Sequence, residues 1–159
     1  MRVVAEYDHR NAKAIIRALN LPIQKEIYSI LNNPNNRLIL GTAGRKQQDL
    51  SQQIKTFFIQ KGWQKEANVF SLDGLHYDLL KGNIPLEIEI GHKRLVYATF
   101  FKFLADYSHG EIPAGIMVVT KTPADFGHTW HNSIDDTQSK IQAIKSSLLV
   151  PILVLGIKP

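Results

Sequence analysis

The sequence predicts an α/β protein, a central mixed β-sheet flanked by helices, and three observations predict it. Helical periodicity fills the first third of the chain. Three strand signals then follow one another across tight turns. Two almost uninterrupted apolar runs, "AGIMVVTK" and "VPILVLGI", each come after a helical stretch. The order αα, α, βββ, α, β, α, β is that of helices packed on both faces of one sheet.

Taken in order, apolar residues recur at helical spacing over 11–19 (Ile15, Ile16, Leu19) and over 22–31 (Ile23, Ile27, Ile30, Leu31), which predicts two short helices. "NNPNN" at 32–36 is a turn, and "LILGTAGRK" is a brief apolar segment entering a glycine-containing loop. A third helix begins near Lys46, keeps Leu50, Ile54, Phe57 and Phe58 on one face, and ends at Gly62. "NVFSLDG", "LHYDLLKG" and "IPLEIEIG", separated by Asp73-Gly74 and Gly82-Asn83, read as an antiparallel series. Residues 95–107, rich in Phe, read as a largely buried helix. "AGIMVVTK" has the continuous apolar character of a strand covered on both faces. A helix over 133–147 and the strand "VPILVLGI" complete the chain. Its 159 residues carry no repeat and no linker, so one domain over 1–159 is expected.

Composition narrows the chemistry. With no cysteine, disulfides and thiolate metal sites are excluded, which leaves oxygen and imidazole ligands and favours hard cations such as Mg²⁺. No apolar stretch approaches the ~20 residues that cross a bilayer, and "MRVVAEYDHR" lacks the apolar core of a signal peptide, so a cytoplasmic location is expected. The net charge of +5 and pI near 9.5 suit a polyanionic partner.

The acids within "HYDLLKGNIPLEIEIGHKR" carry the strongest functional signal. Side chains alternate along a strand, so Glu87 and Glu89 share one face while Leu86, Ile88 and Ile90 take the other. Pairing of "LHYDLL" with "PLEIEIG" brings Asp78 beside Glu87. Three carboxylates at such range repel one another unless a cation offsets them. A divalent ion bound by two carboxylates and a backbone carbonyl, here that of Ile88, resolves the conflict. The same pattern also describes an exposed strand face carrying Glu87 and Glu89, with Asp78 an unrelated surface acid.

Asp78, eight intervening residues, then Glu87-Ile88-Glu89 resembles the Asp, Glu-x-Lys/Glu/Gln site of the restriction-endonuclease-like PD-(D/E)XK nucleases. It is most similar to the BglII and BamHI group, in which Gln or Glu replaces the usual lysine. "EYDHRNAKAIIRALNLPIQKEIYSIL", "GWQKE", "GIMVVTK" and "VPILVLGI" stand in the order such a chain shows, so the resemblance spans nearly the whole sequence. It implies a restriction-endonuclease-like core and a Mg²⁺-dependent endonuclease of double-stranded DNA, with Mn²⁺ able to substitute. Asp78 and Glu87 would be metal ligands, and Glu89 would position or deprotonate the attacking water. Glu66 in "GWQKE" matches a fourth polar residue of the group, and a solvated helix-end acid is its plain alternative. The resemblance also implies a homodimer, with residues 95–107 at its interface, and a GATC-centred palindrome as target. Relatives carry further segments after the last core strand that help to embrace DNA. Their absence here implies relaxed specificity, a partner protein or a role other than restriction.

DNA contacts are expected from several loops. Arg45 and Lys46 in "TAGRKQQ" lie at a helix start suited to phosphate, and His92, Lys93 and Arg94 extend the positive surface beside the acids. The loop "KTPADFGHTWHNS" matches one that enters the major groove in the resembling enzymes. It offers Lys121, His128, His131, Asn132 and Ser133 to bases or backbone. His128 and His131, with Asp135 or Asp136, also admit an HNH-like metal site. Two other readings stay open: a DNA-binding module without activity on the same fold, and a regulatory domain that uses the basic surface without metal.

Overall fold

A computed structural model of the chain describes residues 1–40, 47–127 and 129–159. Among them, strands β1 (Arg2–His9), β2 (Gln64–Asn68), β3 (His76–Lys81), β4 (Ile84–Ile88), β5 (Gly115–Thr120) and β6 (Ile152–Lys158) form one sheet in the order β1-β6-β5-β4-β3-β2. β4, β5 and β6 run parallel, and the pairs β1–β6, β3–β4 and β2–β3 are antiparallel, so the sheet is mixed as expected. Helices α1 (Ala12–Leu31) and α2 (Gln47–Ile59) cover one face, where Ile16, Ile27, Ile54 and Phe58 pack with Leu86, Ile88, Val118 and Leu155. Helices α3 (Val96–Ser108) and α4 (Ile134–Ala143) cover the other, where Phe100, Phe103 and Ile141 meet Met117, Val119 and Val154. With helices on both sides, every residue of β5 is buried, which is why its sequence is apolar without alternation.

The two short helices expected at the start are one element bent at Asn20, whose backbone is extended (φ −152°, ψ 72°). Pro22 cannot donate to the preceding turn, and the Asn20 side chain accepts from Ile23 N at 3.1 Å, restarting the helix beyond the bend. β1 was not expected. It is an edge strand whose residues alternate between exposed and half-buried, so its hydrophobic signal is weak. β2 lies upstream of the expected "NVFSLDG" because Phe70 and Ser71 give their N–H groups to the Asp106 carboxylate rather than to a neighbouring strand. The fourth helix stops at Ala143 instead of running to 147. The expected turn at Gly82-Asn83 is present: Lys81 pairs with Ile84, and Gly82 takes the positive φ (60°) that such a turn demands.

One glycine sets the distance between α3 and the sheet. A Cβ at Gly115 would lie 2.3 Å from the Phe103 ring. The bare backbone lets that ring settle directly on β5. α3 is thereby held against the sheet face that carries Glu87.

Candidate active site

The site forms where β3 and β4 part. Their ladder runs through Leu80↔Pro85 and Leu79↔Leu86, and beyond it the Asp78 carboxylate replaces a backbone acceptor, taking the Ile88 N–H at 2.9 Å. This bond ties the side chain of Asp78 to the strand that bears both glutamates. Leu86, Ile88 and Ile90 enter the core under α1 and α2, so the alternation of the strand turns Glu87 and Glu89 toward α3. The residue after β4, Glu89, still donates its N–H to Val118 O at 2.8 Å, which extends the pairing with β5 as far as the second acid.

Each acid meets a partner from a helix. Lys55 on α2 places Nζ 2.5 Å from Asp78 Oδ1. Lys102 on α3 pairs with Glu87 Oε1 and donates to His76 O at 2.9 Å. Thr99, one turn before Lys102, donates its hydroxyl to Glu89 Oε1. Glu87 is 3% exposed and Glu89 8%. Burial, reinforced by repulsion from Asp78, pushes the Glu87 carboxyl up to about 8, with Lys102 pulling the other way. Glu89 is also raised by burial, and the Thr99 hydrogen bond opposes that shift.

Asp78, Glu87 and Glu89 thus lie close enough to perturb one another, which agrees with the spacing of the sequence. Among the described residues, no group of three or more His, Asp or Glu side chains is arranged to hold a metal ion. The donor chemistry nevertheless fits a hard divalent cation. All donors are oxygens, and three carboxyl groups gather at the fork, as the oxygen preference of such an ion requires.

The remaining candidates divide. Glu66 lies within β2 with a positive φ of 51°, exposed and paired with its neighbour Lys65 at 3.3 Å. Arg94 is exposed, as is His92, whose ring lies 6.3 Å from that of Trp130. Lys93 pairs with Asp136 at 2.8 Å and Lys121 with Asp135 at 3.2 Å. His131, Asn132 and Ser133 are buried. The Asn132 amide donates to Thr137, and the Ser133 hydroxyl accepts from Asp136 N to cap α4, so both side chains serve the fold rather than an outer surface. Arg45, Lys46 and His128 lie outside the described residues.

The sequence reading missed Lys55, Lys102 and Thr99. A signal existed for one of them: Lys102 in "FFKFL" is a single charge within an aromatic run, which calls for a buried partner.

A mixed sheet with helices on both faces, and a forked hairpin presenting Asp, Glu and Glu at its parting, define the restriction-endonuclease-like class of nuclease. Residues 4–157 match the family model described as restriction endonuclease BglII/BglIII. The chain belongs to that family, and is by that membership a type II restriction-like, site-specific deoxyribonuclease. Its fold is similar to that in the crystal structure of restriction endonuclease BglII complexed with a DNA 16-mer. The TM-score is 0.72 at 18% identity, over 98% of this chain and 76% of that one. No curated protein matches the chain in sequence. Among the described residues, no helix is long and apolar enough to cross a membrane.

Proposed function

We propose that residues 1–159 act as one Mg²⁺-dependent endonuclease unit that hydrolyses phosphodiester bonds of double-stranded DNA. The observation that carries this reading is the fork at which Asp78, bonded to Ile88 N, stands beside buried Glu87 and Glu89. Asp78, Glu87 and the Ile88 carbonyl would hold the ion, Mn²⁺ serving in place of Mg²⁺. Such an ion supplies charge neutralisation at the phosphate and a more acidic water.

The chain's own groups do the rest. Glu89 takes up the proton of the attacking water, and the Thr99 hydroxyl fixes the carboxylate that receives it. Lys93, Arg94 and Lys121, in the segments that follow β4 and β5, hold backbone phosphates, in keeping with a chain of net charge +5. Arg45, Lys46 and His128 keep the DNA-contacting role expected of them. His131, Asn132 and Ser133 receive none, because they are buried, and Glu66 receives none, because it is exposed and paired elsewhere. Cleavage of both strands calls for two copies. The exposed Tyr97, Phe101 and Ile144, which line one groove, offer an apolar face for a homodimer.

Incubation with plasmid DNA in Mg²⁺ tests the reading. Discrete fragments are expected from the wild type, and Asp78→Ala or Glu87→Ala should lower the rate by about 10²- to 10³-fold, the scale on which loss of a key electrostatic group acts. DNA binding without cleavage in Mg²⁺ or Mn²⁺ would favour the inactive binding module. Absence of binding even at low salt would overturn both.

A further inference from the structure

The two acids assigned to the ion already face cations of the protein, and the cations come from opposite sides of the sheet. Lys102 reaches Glu87 from α3, Lys55 reaches Asp78 from α2, and their side chains are only 12% and 14% exposed. Lys102 has further anchorage at His76 O, at 2.9 Å, and over the Tyr77 ring, 5.7 Å from its centroid. A buried carboxylate without a partner is costly. These contacts therefore hold the hairpin fork together when no divalent ion is bound.

An ammonium and a divalent ion cannot use the same lone pairs. A Mg²⁺ ion coordinates carboxylate oxygen at roughly 2.0–2.1 Å, inside the space that the ammonium occupies at hydrogen-bond range, and the two cations repel. The lysine stem is long and flexible enough to withdraw its charge while its root stays in the helix. We propose that Lys102 and Lys55 are internal counter-cations, positioning residues that hold Glu87 and Asp78 until a divalent ion displaces them, and that this displacement sets the affinity for the ion. The inference rests on the assignment of Asp78 and Glu87 as ion-holding residues. It gives the site a resident positive charge from two helices where the strand itself carries Glu89.

Mn²⁺ binding to the DNA-free protein, followed by loss of the free-ion electron paramagnetic resonance signal, tests the displacement. Melting temperatures with and without Mn²⁺ are measured alongside. Lys102→Met should bind Mn²⁺ at least about fivefold more tightly than the wild type, the lower end of coupling between linked sites. It should melt lower without Mn²⁺ and gain more on its addition. Lys102→Arg, which keeps the charge, should bind as weakly as the wild type. Lys55→Met, beside the more open Asp78, should repeat the tightening and serves if Lys102→Met does not fold.

Equal or weaker binding by the Met variants, when the wild type binds, overturns the displacement and leaves the nuclease reading intact. A lowered melting temperature with unchanged affinity has the same force, since it shows a purely structural pair. If neither the wild type nor any lysine variant binds Mn²⁺, or if Glu87→Gln and Asp78→Asn bind as the wild type does, the ion assignment fails and the inference fails with it.

Discussion

Two buried acids on the α3 side of the sheet, Asp106 and Glu87, are held in opposite ways. Asp106 belongs to α3 itself and is surrounded by neutral donors: Phe70 N at 2.9 Å, Ser71 N at 2.8 Å, the Ser71 hydroxyl, and Tyr77 OH at 2.7 Å. Burial acts to raise its carboxyl, but the hydrogen bonds from Ser71, Tyr77 and Phe70 outweigh it and hold the group below the ordinary carboxylate range. Glu87, on β4, has an ammonium on one side and like charges on the other, and its carboxyl is raised to about 8. Asp106 is a satisfied staple that fastens the loop before β3 to α3. Glu87 is a carboxyl whose ionised form burial disfavours, and strongly raised carboxylates beside specific charge partners mark functional sites. Tyr77 connects the two, its hydroxyl on Asp106 and its ring under Lys102.

The comparison is broken most severely by removing the staple. Asp106→Ala strands several buried donors at about 1–3 kcal/mol each, so a loss of at least about 3 kcal/mol is expected in urea unfolding. Glu87→Ala, in contrast, should slow cleavage by about 10²- to 10³-fold while costing less stability. An Asp106→Ala protein as stable as the wild type would show that the loop 70–75 finds other partners.

A pH series sharpens the contrast because the signs differ. A carboxyl lowered by folding, as Asp106 is, contributes stability above the ordinary carboxylate range and loses it as pH falls through the folded value. A carboxyl raised by folding contributes stability below its unfolded value, near 4.5, and loses it progressively as pH climbs to about 8. Without divalent ions, Glu87→Gln should therefore gain stability over the wild type between pH 5 and 8, increasingly toward the upper end. Thermal melts in chelator across that range measure it, and a parallel shift of both proteins would refute the role of Glu87.

The contrast also explains what the sequence could disclose. The hairpin of β3 and β4 was legible because period-two alternation and a Gly-Asn turn are local: Leu86, Ile88 and Ile90 against Glu87 and Glu89 can be read without knowing the fold. Asp106 was not legible. Its four donors come from residues 29 to 36 positions away, and an acid at the end of an aromatic helix looks solvated in one dimension. Lys55 was missed for the same reason, and the lone charge of Lys102 in "FFKFL" signals a buried partner without naming Glu87, since each lysine reaches its acid only after a helix has docked. Asn132 and Ser133 show the converse. A polar loop residue that caps a helix and one that faces DNA have the same composition, and only burial separates them.

Glu66 supplies the smallest expected effect and the sharpest control. It is an acid in the same sheet, next to β3, but it is exposed and its ion pair with Lys65 is open to solvent. Surface pairs of this kind contribute about 0–1 kcal/mol, and nothing about it shares the burial that raises Glu87. Glu66→Ala should leave stability within roughly 0.5 kcal/mol and cleavage within about twofold of the wild type, a change near 0.4 kcal/mol in barrier height. A loss above tenfold in plasmid cleavage, with stability unchanged, would mean that an exposed acid of β2 swings into the fork when DNA binds. Burial and charge partnership would then no longer suffice to tell the working carboxylates of this sheet from the idle ones.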